Sequence, residues 1–176
     1  LIVDDHPLMR EGLHELISME ADFEICAEAG DAQGAVAAAA SSAPDVVVLD
    51  LTLGEDDGVA LVTELHERWP ELRILVLSMH DESLYAERLI SLGARGYVMK
   101  DTAYADIVPA VEAVLRGGIW MSPRLSARVV NRNLKRVRSP RSRLRRPRKW
   151  PLRSGKDRAP DVQFSDSQVM SQPPLQ

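Results

Sequence analysis

Five short apolar runs, separated by segments with helical periodicity, constrain the fold of this chain more than any other feature. Each run is too short for a buried helix, and three of the five are rich in Val, Ile and Leu, which is typical of strands covered on both faces. The sequence therefore predicts five strands, over residues 1–3, 24–27, 46–49, 74–77 and 97–99.

The segments between the runs are predicted helices. The first follows Pro7, a residue favoured in a first helical turn, and the second is an alanine-rich stretch that Asp31 can cap. The last is expected to begin near Asp106, because Pro109 then stands in the first turn, where its missing amide breaks no hydrogen bond. Apolar stripes at helical spacing are formed by Met9, Leu13, Leu16 and Ile17, by Leu61, Val62, Leu65 and Trp69, by residues 84–92, and by Ile107, Val111, Val114 and Leu115.

Strand and helix thus alternate five times along residues 1–118. This pattern predicts one α/β domain with a mostly parallel, doubly wound sheet, helices on both faces and right-handed crossovers. We interpret residues 119–135 as a linker with room for one short helix. Residues 136–176 are rich in Arg, Pro and Ser and lack a core pattern, so we expect a disordered tail there.

Charge is divided unevenly along the chain. Residues 1–122 contain 7 Lys or Arg and 23 Asp or Glu, a balance of −16, whereas residues 123–176 contain 15 and 3, a balance of +12. A basic tail on an acidic body suggests contact with nucleic acid or another acidic surface, although a solvated flexible segment explains it equally well.

The chain has the composition of a protein from a reducing compartment. Its single Cys26 excludes an internal disulfide, and no run of 18 apolar residues provides a membrane span. No charged-then-apolar leader precedes the first strand, so we expect a cytoplasmic protein without membrane contact. Because Leu1 is not a methionine and lies within an apolar run, the first strand is expected to be clipped.

Polar side chains end four of the five predicted strands. Asp4 and Asp5 follow the first, Asp50 the third, Ser78 the fourth and Lys100 the fifth. Ligands of doubly wound sheets bind beyond the carboxyl ends of the strands, so these groups should converge. Crowded carboxylates repel one another unless a cation lies among them, and Mg²⁺ prefers such oxygen ligands beside a phosphoryl group. Taken singly, an Asp after a strand is more often a turn or cap residue than a ligand.

Four blocks of sequence resemble the receiver domains of two-component response regulators. They read LIVDDHPLMREGL, VVVLDLTLGEDDG, ILVLSMHD and GARGYVMKD, and the first resembles the NarL/FixJ (LuxR-type) subfamily in particular. The resemblance covers roughly residues 1–122. It implies a flavodoxin-like (βα)5 fold with strand order 2-1-3-4-5.

The resemblance also implies roles for individual residues. Asp50 would accept a phosphoryl group from a sensor histidine kinase, and Mg²⁺ would be bound by Asp5, Asp50 and the main-chain carbonyl of Thr52, with Asp4 acting through water. Lys100 would pair with the phosphoryl oxygens.

A conformational switch would follow from two further residues. Ser78 would turn to hydrogen-bond the phosphoryl group, which would free space for the ring of Tyr97. Without that role, Tyr97 is an ordinary half-buried aromatic residue.

Several positions depart from the family's commonest pattern or have an ordinary explanation. Gly54 replaces a frequent proline, which predicts a more mobile loop, and Asp101 after Lys100 makes a cis bond there costly. Thr52 and His80 occupy positions that tune attack by water in the family. His6 is expected to pack against or cap the first helix rather than bind metal. His14 and His66 are expected on helix surfaces.

The subfamily usually continues into a DNA-binding helix-turn-helix, but prolines at 140, 147, 151 and 160 interrupt any such pattern here. A shift of coding frame near residue 136 is one hypothesis. The alternative is a stand-alone receiver or phosphate-relay module whose basic tail binds nucleic acid without sequence preference. Dimerisation on phosphorylation is expected of the family.

Two other functional classes fit the sequence less well. A hydrolase with an aspartyl-phosphate intermediate would need a second carboxylate where Thr52 stands. A nucleotide-binding module would need a glycine-rich loop after the first strand, where residues 5–7 read Asp-His-Pro. We therefore expect a phosphoacceptor that assists its own phosphorylation and dephosphorylation, and not an enzyme.

Overall fold

The computed structural model describes residues 1–128. Its centre is a five-stranded parallel sheet, and two further short strands form a separate antiparallel hairpin. The elements are β1 (Ile2–Val3), α1 (Pro7–Ser18), β2 (Glu28–Ala29), α2 (Ala32–Ser42), β3 (Val46–Asp50), β4 (Thr52–Leu53), β5 (Asp56–Asp57), α3 (Gly58–Arg68), β6 (Arg73–Ser78), α4 (Glu82–Ser91), β7 (Ala94–Met99) and α5 (Ala103–Leu115).

The sheet is doubly wound, as the alternation of strands and helices predicted. Numbered along the chain, its five parallel strands have the order 2-1-3-4-5, which confirms the predicted topology. Side chains of α2, α3 and α4 pack on one face of the sheet, and those of α1 and α5 pack on the other. The central strands β3 and β6 are buried along almost their whole length, which explains their continuous apolar sequence.

The helix starts are determined by local sequence. Pro7 begins α1, where a missing amide costs no hydrogen bond. The side chains of Asp31, Asp57 and Asp81 each accept hydrogen bonds from amides in the first turn of the following helix. Gly93 follows α4 with φ at +112°, so the chain turns there through a conformation that favours glycine.

The second strand lies later in the chain than the sequence predicted. Pairing with β1 aligns Ile2 with Glu28, and the amide of Ile2 donates to the carbonyl of Ala27. The predicted strand, residues 24–27, therefore precedes the paired residues. The prediction followed apolar side chains, whereas an edge strand is fixed by its backbone register and tolerates the exposed Glu28.

The predicted start of the last helix is wrong. The helix α5 begins at Ala103, and Pro109 lies within it. Proline leaves the carbonyl of Ala105 without its helical donor. Ala105 and Pro109 are both exposed, so water can solvate that carbonyl. The helix continues through Pro109 because its face around Ile107 and Val111 is buried in the core.

The chain after α5 returns to the last strand. The amide of Tyr97 donates to the carbonyl of Trp120, and the amide of Trp120 donates to the carbonyl of Arg95. Residues 123–128 are helical, and Leu125 is buried in the core. The remainder of the predicted linker and the whole predicted tail, residues 129–176, lie outside the described residues.

Membrane insertion through a helix finds no support in the described part of the chain. The longest of the helices with assigned ends, α5, has 13 residues, whereas a span needs about 20. Within residues 1–128, no helix is both long and apolar enough to cross a bilayer.

Candidate functional site

The polar residues that end the strands converge at one edge of the sheet. Asp4 follows β1, Asp50 is the last residue of β3, Ser78 is the last of β6, and Lys100 follows β7. These strands are neighbours and run parallel, so their carboxyl ends meet. Asp4, Asp50 and Ser78 are the buried polar residues of the described chain.

Lys100 is the counterion of two buried carboxylates. Its Nζ donates to Oδ2 of Asp4 and to Oδ2 of Asp50, both at 2.7 Å. The side chain of Lys100 is 7% exposed, and those of Asp4 and Asp50 are 1% exposed. Charge-assisted bonds of this length in a buried setting are strong, and they hold both carboxylates in place.

Burial and ion pairing have opposite effects on the pKa of Asp50, and also on the pKa of Lys100. Burial raises the pKa of Asp50, although the Lys100 ammonium and the amide of Thr52 oppose the shift. Burial alone would lower the pKa of Lys100, but the hydrogen bonds and charges of Asp4 and Asp50 together raise it. Lys100 therefore stays protonated, while the ionised form of Asp50 is costly.

Asp5 lies beside this pair and has one unsatisfied oxygen. Its Oδ2 accepts a hydrogen bond from the amide of Gly54 at 3.0 Å. Its Oδ1 lies 2.7 Å from Nδ1 of His6, but the two atoms do not have the geometry of a hydrogen bond. Oδ1 is thus a buried oxygen without a hydrogen-bond partner, which calls for a bound group.

The cluster suits a divalent cation. One ligand atom from each of Asp4, Asp5, His6 and Asp50 can be chosen so that all lie within 4.8 Å of one another. Three ionised carboxylates and the Lys100 ammonium carry a net charge of −2, which a divalent cation would balance. Carboxylate oxygens are the ligands that Mg²⁺ prefers, so the residues present fit this ion.

The side chain of His6 points in a direction that the sequence did not predict. It is the residue before the first turn of α1, but its side chain makes no capping hydrogen bond. The ring instead lies against the carboxylates of Asp4 and Asp5, and its side chain is 67% exposed. Proximity to the cluster could be inferred from its place after Asp5, whereas the direction of its ring could not.

The predicted switch residues both contact the backbone of His80. The amide of His80 donates to Oγ of Ser78 at 3.1 Å, and the hydroxyl of Tyr97 donates to the carbonyl of His80 at 2.8 Å. Tyr97 is fully buried rather than half-buried as expected, and its switching role stays a prediction. Burial raises the pKa of Tyr97, and a hydrogen bond with Ser78 opposes that shift. Ser78 lies at the same edge of the sheet as Asp50.

The loop after Asp50 makes hydrogen bonds that the sequence did not predict, and its expected mobility stays a prediction. The amide of Thr52 donates to Oδ1 of Asp50 at 3.1 Å, and the hairpin that follows binds Asp5 through Gly54. A further contact that sequence reasoning missed comes from Arg10, whose Nη1 donates to the main-chain carbonyl of Asp4 at 2.6 Å. Its position one turn into α1 was the available signal.

The peptide bond between Lys100 and Asp101 is trans, as are all the peptide bonds among residues 1–128. This agrees with the expected cost of a cis bond before a residue other than proline. The side chain of Lys100 reaches Asp4 and Asp50 from this trans backbone.

A doubly wound α/β domain with a lysine-bridged acidic cluster at the carboxyl edge of its sheet defines a receiver-type signalling module. The family profile of the response regulator receiver domain matches residues 1–112. The chain belongs to this family.

Similar proteins agree with this assignment. The transcriptional regulatory protein DegU of Brevibacillus brevis is 33% identical over 130 residues, which cover 74% of this chain and 55% of DegU. The response regulator protein VraR of Staphylococcus aureus is 31% identical over 137 residues, which cover 78% of this chain and 66% of VraR. The chain therefore spans less than two thirds of these curated relatives.

A solved structure supports the same family assignment. A two-component response regulator of the LuxR family from Aurantimonas sp. SI85-9A1 has a TM-score of 0.69 and 36% sequence identity, and the match covers 76% of this chain and 95% of that one. The predicted receiver fold and its resemblance to the NarL/FixJ subfamily are confirmed.

Proposed function

We propose that this protein is a two-component response regulator that accepts a phosphoryl group on Asp50 from a sensor histidine kinase. The observation that carries the proposal is the environment of Asp50. It is a buried carboxylate at the end of a central strand, bonded to Lys100 and next to an unsatisfied oxygen of Asp5.

The proposed metal ion is Mg²⁺. Asp5 and Asp50 would bind it together with the main-chain carbonyl of Thr52, and Asp4 would act through water. Bound Mg²⁺ would supply charge neutralisation for phosphoryl transfer. The residues support this assignment through their oxygen ligands and their net charge of −2.

The transfer requires little covalent chemistry from the protein. A carboxylate oxygen of Asp50 attacks the phosphorus of the phosphohistidine, a P–O bond forms and the P–N bond breaks. The electron pair of that bond remains on the imidazole nitrogen, which then takes up a proton. Lys100 holds Asp50 in place before transfer and neutralises phosphoryl oxygens during it.

Ser78 and Tyr97 are the proposed switch. If Ser78 turns its hydroxyl to a phosphoryl oxygen, it gives up the hydrogen bond from the His80 amide. The carbonyl of the same residue accepts from Tyr97, so a shift of the His80 backbone moves the hydrogen-bond partner of the Tyr97 hydroxyl as well. A local change of charge is thereby passed to the face formed by α4, β7 and α5.

The proposed output is control of transcription. DegU is named a transcriptional regulatory protein, and the LuxR-family structure is a two-component response regulator. We propose cytoplasmic location, dimerisation on phosphorylation and no turnover of added substrates, as for a phosphoacceptor. DNA binding is expected of the subfamily's helix-turn-helix, whose pattern the sequence of residues 136–176 does not show.

Labelling with acetyl phosphate tests the proposal. The full chain with Mg²⁺ should gain one acid-stable, base-labile phosphoryl group, located at Asp50 by mass spectrometry of its peptides. Asp50→Asn should abolish labelling, whereas Asp45→Asn, at the exposed opposite end of the same strand region, should label normally. Labelling of Asp50→Asn to the parental level would contradict the assignment, and turnover of added phosphomonoesters would favour a hydrolase.

A further inference from the structure

The hairpin after Asp50 is fixed to the domain at two points. At its turn, the amide of Gly54 donates to Oδ2 of Asp5 at 3.0 Å. On its second strand, Oδ2 of Asp56 accepts from the amide of Ala32, the first residue of α2, at 2.9 Å. Asp5 lies in the loop between β1 and α1, and Ala32 begins α2, so the two bonds tie the hairpin to two separate parts of the domain.

We propose that this hairpin is a positioning element for the metal ion, in which the Gly54 amide holds Asp5 by Oδ2, while Oδ1, which faces the His6 ring without a hydrogen bond, binds the divalent cation. The inference rests on the proposed function, because it concerns the same metal site. Gly54 acts through Asp5 and is therefore a positioning residue. Asp56 anchors the opposite side of the hairpin to α2.

The backbone of Gly54 makes the first bond possible. Its φ of +59° lies in the left-handed region, which glycine adopts freely and asparagine tolerates. Proline could neither adopt this φ nor donate an amide. Space is not the limit, since a Cβ at this position would lie 3.9 Å from Oδ2 of Asp5, an ordinary contact. The glycine in place of the family's frequent proline thus provides a donor to Asp5.

The two oxygens of Asp5 are consequently in different states. Oδ2 is satisfied by Gly54, and Oδ1 is buried without a hydrogen-bond partner. A carboxylate held by one oxygen presents the other in a fixed direction, so less orientational freedom is lost when a cation binds. Hydrogen bonds that orient metal ligands in this way typically change metal affinity about 10- to 100-fold when removed.

Calorimetric titration of the full chain with Mg²⁺ tests the inference. Gly54→Pro removes the amide donor and the left-handed backbone, and we expect about 10-fold weaker binding. Gly54→Asn keeps the donor and tolerates the backbone, so its affinity should stay close to that of the parent. Asp5→Asn changes the metal ligand itself, so it gives the loss of Mg²⁺ affinity that a damaged site produces.

The anchor at α2 has a matched control in the neighbouring residue. Asp56→Ala and Glu55→Ala each remove one exposed carboxylate from the hairpin, so both change the charge near the site equally. The contact with the amide of Ala32 is made by Asp56. We expect Asp56→Ala to weaken Mg²⁺ binding more than Glu55→Ala does. Equal effects of the two substitutions would remove the anchoring role.

Hydrogen exchange provides a measurement that does not depend on folding of the proline variant. The Gly54 amide should exchange slowly in the parent and faster in Asp5→Ala. Equal exchange rates would show that the bond is absent and would overturn the inference.

The failures of the two proposals are distinguishable. If Asp5→Asn loses Mg²⁺ affinity while Gly54→Pro binds as the parent does, the hairpin has no positioning role, and the metal site stands. If the parent binds no Mg²⁺, or Asp5→Asn binds as the parent does, the metal site itself is wrong.

Discussion

Replacement of Lys100 by methionine tests the physical basis of the site, namely that buried carboxylates are held together by one ammonium group. Methionine keeps an unbranched side chain of similar bulk and removes the charge. In the parent, Nζ donates to Asp4 and Asp50 at 2.7 Å, and all three side chains are almost fully buried. In the variant, both carboxylates lose their common counterion.

The expected loss follows from this burial. Removing one partner of a buried ion pair typically costs about 3–5 kcal/mol, because the remaining charge is uncompensated. The site lies at the edge of the sheet, and a carboxylate can escape part of the penalty by protonation. We therefore expect the free energy of unfolding to fall by about 3 kcal/mol at pH 8 in the absence of divalent ions, at the lower end of that range.

The loss should depend on pH with a definite sign. Burial raises the pKa of Asp50, and without Lys100 the pKa rises further. An acid whose pKa is raised in the folded state favours folding when protonated and loses this contribution as pH rises through its folded pKa. The deficit of Lys100→Met should therefore be largest at high pH and shrink as pH falls toward the ordinary range of aspartate.

Urea unfolding with a chelator, followed by circular dichroism, measures this effect. Arg116→Met is the matched control, since it removes a cation that is 72% exposed and pairs with Glu112 on the helix surface. Such pairs contribute about 0.3–0.5 kcal/mol. The double variant Lys100→Met/Asp50→Asn should recover more than half of the loss. A deficit no larger than that of Arg116→Met, and independent of pH, would refute the reasoning.

Three further predictions concern the surroundings of the site. Gly58→Ala should lower the free energy of unfolding by about 1–3 kcal/mol in urea, because its Cβ would meet the carbonyl oxygen of Leu51 at 2.4 Å; an unchanged midpoint would contradict this. Leu125→Ala should cost about 2–4 kcal/mol, since this side chain is 1% exposed, and a cost below that of a surface substitution would remove it from the core. Hydrogen bonds from Ser83 lower the pKa of Asp81. The stabilising contribution of Asp81 is therefore present above the ordinary aspartate pKa and is lost as pH falls through the pKa of the folded state. The urea midpoints of Asp81→Ala and of the parent should converge as pH falls below about 4.

The sheet and the edge that carries the site could be predicted from the sequence, because both depend on where apolar runs end. The strand β3 is buried from Val46 to Asp50, and its last residue is the acid that interrupts the run. Lys100 follows the last run in the same way. Parallel strands place such residues at one edge, so their convergence follows from topology.

Contacts that depend on tertiary register could not be predicted in the same way. Glu28 pairs with β1 because of backbone alignment, although its neighbours in sequence are more apolar. Pro109 remains inside α5 because it faces solvent while the buried face holds the helix. The bond from Gly54 to Asp5 joins residues 49 positions apart, and a glycine in a loop predicts flexibility as readily as a particular donor.

On the proposed function, phosphorylation makes the acidic cluster more negative by about one charge. The carboxylate of Asp50 carries −1, and its phosphorylated form would carry about −2. Lys100 already donates two of its three N–H groups to carboxylates, so it has one donor left for the added phosphoryl oxygens. The hydroxyl of Ser78 lies at the same edge, but its oxygen accepts from His80. Moving that oxygen toward the phosphoryl group removes the acceptor of the His80 amide, and the carbonyl of the same residue accepts from Tyr97. This shared residue is the physical reason to expect that charge at Asp50 changes the packing of Tyr97.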